Sequence, residues 1–285
     1  MLGRHILFPA LAAGALASAV FCQTWGQTAG QTAGQTGGQT GGQTGGQTAG
    51  ETPAPTQRTL APKPPVPPGR DPGGVAIALI GTGIDYTPPE VASRLARDGE
   101  GELIGWDLQD EDRRPFAARQ GHARSGSGDG TGIVQLLLAA PGVRLVPVRV
   151  APGDPVGLAR AVAFVAQTPA RVAVLAMGSP SPAQWEPLRQ AAQRFRQVLV
   201  VVPAGQASAP THPAALGLDN VLPVTPGSAR AEPAEISAVT RHTAAAVAAA
   251  CAAAELLARE PALDAAALKR RLAQEGGGPF WQVQR

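Results

Sequence analysis

Five continuous apolar runs constrain this chain more than any other feature: "VAIALI" (75–80), "VRLVPVRV" (143–150), "RVAVLAMG" (171–178), "QVLVVVPAG" (197–205) and "NVLPVTP" (220–226). A strand with one wet face alternates apolar and polar residues. These runs do not alternate, so both of their faces must be buried. Between and after them lie helical stretches at 130–140, 156–168, 182–196, 243–260 and 264–274. Strands alternating with helices of this length predict an α/β fold of three layers, a mainly parallel sheet with helices on both faces. In such sheets, sites form at the C-terminal ends of the strands. Chemistry is therefore expected in the loops after Ile80, Met177 and Gly205. The alanine-rich helix over 243–260 has side chains small enough to run through the middle of the domain.

The N-terminal quarter has a different character. Residues 1–22 begin with Arg4 and His5, continue as an apolar run and reach Ala17-Ser18-Ala19. That is the anatomy of a secretory signal peptide, and it predicts export to a periplasm, a cell envelope or the medium. Contact with a membrane is expected only through this segment, if it is left uncleaved or is lipidated at Cys22. From Gln23 the chain repeats a Gln-Thr-x-Gly unit, then becomes proline-rich in "PAPTQRTLAPKPPVPPGRDPGG". Neither part can offset its ordering entropy by burying apolar surface. Residues 23–74 are therefore expected to be a disordered linker or stalk. The globular domain is expected over 75–275, with 276–285 as a C-terminal tail.

Composition removes some classes of function. Hydrophobic residues make up 44% and aromatics only 4%, so the core must be built of small aliphatic side chains. The formal charge of +3 is too small for a nucleic-acid binder, and no basic stripe with interleaved aromatics is present. Lys269-Arg270-Arg271 suits a solvated helix face. Two distant cysteines make no disulfide framework, and Cys251 in "AAACAAAELL" is expected to be a buried small hydrophobe. No cofactor or metal site is expected. "DLQDEDRRP" (107–115) clusters oxygens without the alternating ligands of a calcium loop, and it predicts a solvated acidic loop.

The order of segments resembles the subtilisin-like serine proteases. "VAIALIGTGIDYTPPEV" is similar to that family's first strand and Asp block. "IGWDLQDEDRRPFA" is similar to the acidic segment before the His block, and "GDGTGIVQLLLAA" to the His block itself. "VAVLAMGSPSP" resembles the stretch that lines the substrate groove, which assigns the groove to Ala176, Met177, Gly178 and Ser179. "VLVVVPAGQ" resembles the oxyanion-hole strand, and "VTRHTAAAVAAACAAAELL" the Ser block. The resemblance implies a subtilisin-like fold over nearly all of 74–274.

The same resemblance places Gly81 at the position of the catalytic Asp, Asp129 at that of the His, and Arg241 at that of the Ser. Gln206 stands at the oxyanion Asn. A serine protease needs a nucleophile, a base bonded to it and a group that orients the base. None of these three stands at its position here. Neighbours offer no replacement. Shifting the Ser block by one residue brings in Thr240 beside His242 but spoils the remaining matches. His122 is expected to be a loop histidine, Asp85 a turn or cap aspartate and His212 structural, while Ser125, Ser127 and Ser237 have no assigned base. If the backbone is kept, Asp129 would face Arg241 as a carboxylate–guanidinium pair, and would also cap the helix beginning at Gly130. The expected function is that of an exported, catalytically inactive pseudoprotease. It would bind a peptide, a protein or an active protease that it regulates. The alternative is an exported serine-type endopeptidase with a non-standard site, and a third class is an envelope protein that works through its repeat stalk.

Overall fold

The apolar runs form the interior of a sheet of seven strands among the described residues: β1 (Val75–Gly81), β2 (Trp106–Asp107), β3 (Val143–Arg149), β4 (Val172–Leu175), β5 (Leu199–Pro203), β6 (Val221–Pro226) and β7 (Trp281–Val283). Their order is β2-β3-β1-β4-β5-β6-β7. Every neighbouring pair is parallel except β6 and β7. The computed structural model describes residues 62–117, 130–176, 186–204, 217–227, 238–278 and 281–283. All of them belong to the unit Thr59–Arg285.

The helices are α1 (Pro89–Ala92), α2 (Gly130–Leu138), α3 (Pro155–Val165), α4 (Glu186–Arg194), α5 (Ala238–Arg259) and α6 (Ala265–Gln274). The period of two sorts the strand residues between two cores. Ile77, Leu79, Val172, Val174, Leu199 and Val201 face α2, α5 and α6. Ala76, Ala78, Ile80, Ala173, Leu175, Val200 and Val202 face α3 and α4. The continuous apolar runs are thus two interleaved half-patterns, one for each face. Each fully buried valine, leucine or isoleucine here contributes about 1.5–3 kcal/mol.

α5 runs against β1, β4, β5 and β6 as well as α2, α6 and β7. Ala246, Val247, Ala249, Ala250 and Ala253 on it are completely buried. Only small side chains let one helix pack against so many neighbours at once. α3 and α6 start on aspartate caps: Asp154 accepts from Gly157 N at 2.8 Å and Asp264 from Ala267 N at 2.6 Å. Among the described residues no helix is long and apolar enough to cross a membrane.

Two boundaries differ from the sequence expectation. The ordered contacts begin before Val75. Residues 62–74 carry no regular secondary structure, yet they are tied to the body by side chains. Tyr86 Oη donates to Pro64 O at 2.8 Å, and Arg97 Nη2 donates to Pro67 O at 2.6 Å. Asp71 accepts from Arg97 N at 2.8 Å and from Arg144 Nη1 at 2.6 Å. A proline-rich stretch has no ladder donors to announce such contacts, so hydropathy alone misses them. The second difference is at the other end, where 276–285 includes β7. Gly276 and Gly277 adopt φ of +76° and +104° and turn the chain back, and Trp281 is then buried against the core.

Candidate functional site

All parallel strands end at the same edge of the sheet, and Gly81 and Ala176 lie at that edge. α2 ends near the opposite edge, where Gly142 O accepts from Val75 N at 2.8 Å. Its first residue, Gly130, therefore stands at the C-terminal edge. α5 runs the same way, because Arg171, just before β4, donates to the carbonyls of Pro261 and Leu263 beyond the far end of α5. Both helices lie on the same face of the sheet. The start of α2, the first turn of α5 with Arg241, and the end of β1 at Gly81 consequently share one rim.

At that rim Gly81 is buried and its carbonyl accepts from Val150 N at 2.8 Å. A Cβ placed on Gly81 would lie 3.3 Å from Ala176 Cβ. Ala176 is only 7% exposed, and its N–H donates to Ile80 O at 2.9 Å. Ala176 thus forms a floor at the rim and closes against Gly81. Arg241 is exposed. Asp129, Gln206, Met177, Gly178 and Ser179 lie outside the described residues, as do His122, His212, Ser125, Ser127 and Ser237. Asp85 makes a local turn, its Oδ1 accepting from Thr87 N at 3.0 Å and Thr87 Oγ1 at 2.6 Å.

The rim also carries a charge cluster that the sequence patterns did not single out. Asp107, at the end of β2, has a side chain with no exposure. Its Oδ2 takes Lys63 Nζ at 2.6 Å and Arg149 Nη1 at 2.7 Å. Its Oδ1 accepts from the N–H groups of Gln109 at 2.9 Å and Asp110 at 3.0 Å. Asp110 holds the same two cations, each at 2.7 Å, and Asp112 holds Lys63 at 3.2 Å. The segment at 107–115 is therefore not simply a solvated acidic loop; its first carboxylate is buried and doubly paired. Arg149 Nε also donates to Thr82 O at 3.3 Å. Gly83 accommodates that side chain, since a Cβ there would lie 2.9 Å from Arg149 Cδ, and its φ of +99° suits glycine. Asp107 and Arg149 close β2 and β3 in direct register, a pairing that only the fold reveals.

This cluster is a clamp and not an acid–base site. Burial pulls the Lys63 ammonium toward deprotonation, but hydrogen bonds to Asp107, Asp110 and Asp112 outweigh it and raise its pKa above 10.5. Arg149 is raised in the same way, burial being outweighed by Asp107 and Asp110. The hydrogen bond from Lys63, followed by that from Arg149, holds the Asp110 carboxyl below 3.8. None of these three is poised to exchange a proton near neutral pH. No group of three or more His, Cys, Asp or Glu able to hold a metal occurs among the described residues. Cys251, half-buried on α5, has its thiol pushed up to about 11 by burial and then by Glu255, so it stays protonated at neutral pH.

No protein-family model and no curated protein matches the sequence. Solved structures do match the fold. A cold-adapted subtilisin-like serine proteinase aligns at 20% identity, covering 78% of this chain and 89% of that chain, with a TM-score of 0.50. A structure described as S41 psychrophilic protease aligns at 17% identity, covering 73% and 84%, also with a TM-score of 0.50. At these identities the likeness is one of architecture: the chain has the subtilisin-like α/β fold, a mostly parallel seven-stranded sheet with helices on both faces.

Proposed function

We propose that this chain is an exported subtilisin-fold protein without proteolytic activity, acting by binding a peptide or a partner protein. One observation carries the reading: β1 ends at the active-site rim in a buried glycine, Gly81, closed against Ala176, where the resemblance requires a carboxylate. Arg241 in the first turn of α5, at the nucleophile's position, adds to it. Arginine carries no nucleophile and cannot serve as a base at physiological pH. The remaining rim, around Ala176 to Ser179, would receive an extended peptide, and a second protease that this chain regulates is among the partners that fit. The signal-like N-terminus and the repeat stalk support presentation outside the cytoplasm.

In this reading Asp129 neutralises Arg241 and caps α2, so three altered positions form one structural change. A double-mutant cycle with Asp129→Ala and Arg241→Ala should give a coupling of about 1 kcal/mol in unfolding free energy, ordinary for a close ion pair at a protein surface. Additive effects would remove the pair. For activity, the full chain is exposed to a fluorophosphonate probe and assayed on casein. No serine or threonine should be labelled and casein should stay intact. Labelling at any serine or threonine would overturn the inactive reading, and labelling together with casein cleavage would make the chain a serine-type endopeptidase with a non-standard site.

A further inference from the structure

We propose that a cavity between the β2 loop and α3 is a binding site for a neutral sugar ring. The cavity measures about 330 Å³ and opens to solvent. Its floor is apolar: Trp106, Leu108, Ala163 and Phe164, all half-buried. The rings of Trp106 and Phe164 lie 6.3 Å apart at 37° to one another. Its rim is polar, with Glu111 and Arg160 joined by two hydrogen bonds of 2.8 and 3.0 Å. No residue of this cavity belongs to the groove around Ala176.

Glu111 is the feature that asks for an explanation. It is the one non-glycine residue at positive φ among the described residues, at +55°. That conformation costs about 1–3 kcal/mol for an ordinary side chain and persists where the surroundings require it. Here it lies in the turn that returns the chain from Asp107 to Asp112, and its carboxylate is held by Arg160 at the edge of the aromatic floor. The Glu111–Arg160 pair is exposed on both sides, so as a surface ion pair it returns little stability. The turn therefore serves the clamp through Asp110 and Asp112, and it also leaves the Glu111–Arg160 pair at the edge of the cavity.

The chemistry of the ligand follows from what the site offers. Glu111 and Arg160 cancel in charge, so a net-charged ligand gains little. A polyol gains from both, donating to the carboxylate and accepting from the guanidinium. Trp106 and Phe164 line the floor with aromatic surface against which the C–H face of a pyranose can pack, and the volume sits at the lower end for ligand sites, about 300–1,000 Å³. An extended peptide would use the backbone edge of β2. That edge is already taken where the loop folds back, Asp107 N donating to Asp112 O at 2.8 Å and Asp112 N to Asp107 O at 3.2 Å.

The test uses the full chain and calorimetric titration with N-acetylchitotriose, maltotriose and a decaproline peptide as probes. At least one trisaccharide should bind with millimolar or tighter affinity. Trp106→Leu, which removes the aromatic floor, should weaken that binding at least about tenfold, the scale of a binding hot spot. Ala163→Arg should do the same by filling the cavity from α3 with Trp106 intact, which covers the event that Trp106→Leu misfolds. Glu111→Gly should weaken binding while the melting temperature holds or rises, because glycine accepts the positive φ. Arg189→Ala, which breaks the exposed Glu186–Arg189 pair elsewhere, should leave binding unchanged. Absence of binding by both sugars, sugar binding that survives Trp106→Leu and Ala163→Arg, or decaproline binding lost on Ala163→Arg would each overturn the assignment.

Discussion

Asp107→Asn should lower the unfolding free energy by about 3–5 kcal/mol, the loss seen when one partner of a buried ion pair is removed. The side chain of Asp107 has no exposure, and its two oxygens take four donors: Lys63 Nζ, Arg149 Nη1 and the N–H groups of Gln109 and Asp110. Asparagine keeps the shape but removes the charge, and leaves two partly buried cations short of a carboxylate. Lys63→Met should cost less, because Asp107 would still hold Arg149 and the Lys63 side chain is 16% exposed. Urea unfolding of both variants separates these cases. A loss under about 1 kcal/mol for Asp107→Asn would place the cluster with ordinary surface pairs.

The same cluster sets a pH window. Asp110 has a folded pKa below its unfolded value of 3.8, so its stabilisation is whole above that value and is lost as pH falls through the folded one. Lys63 has a folded pKa above 10.5, so its stabilisation is whole below 10.5 and is lost as pH rises through the folded value. The clamp should therefore hold between about pH 4 and pH 10.5 and loosen on either side. Lys63→Met should flatten the alkaline limb of stability against pH.

The sheet was legible because both faces of its central strands are buried, which turns hydropathy into long apolar runs. α5 was legible for a related reason: half of its 22 residues are alanine, small enough for the helix to pack close to several neighbours at once. β2 and β7 were not. β2 pairs over only two residues, Trp106 and Asp107, too few for a period to show. β7 is an antiparallel edge strand held mainly by one buried tryptophan. The order of motifs assigns triad positions to Gly81 and Arg241 by resemblance, but no motif points to the clamp. Lys63 lies 44 residues from Asp107 in a stretch with the composition of a linker. No local pattern connects them; only the fold brings the lysine to the aspartate.

Placing a carboxylate at Gly81, the position that the resemblance gives to the catalytic Asp, separates an altered site from one that only lacks its side chains. Gly81→Asp should destabilise the chain by about 1–3 kcal/mol, the usual cost of overpacking, because the new Cβ meets Ala176 Cβ at 3.3 Å. The added carboxylate would fall on the same face of the sheet as Arg149, its register partner one strand away. Arg149 Nη1 is already shared by Asp107 and Asp110, so the newcomer would compete with the clamp. Combining Gly81→Asp with Ala176→Gly should recover most of the steric part and leave the electrostatic part. Thermal melts of the single and double variants measure both. Neither should react with a fluorophosphonate, since an added carboxylate supplies no activated serine or threonine hydroxyl. If Gly81→Asp instead melts like the parent chain, the rim has room for a carboxylate and Ala176 does not close it. If the double variant recovers nothing, the cost lies in the buried charge and its pull on Arg149. Full recovery would assign it to packing, making Gly81 and Ala176 a coupled pair that seals the end of β1 where a protease would keep its aspartate.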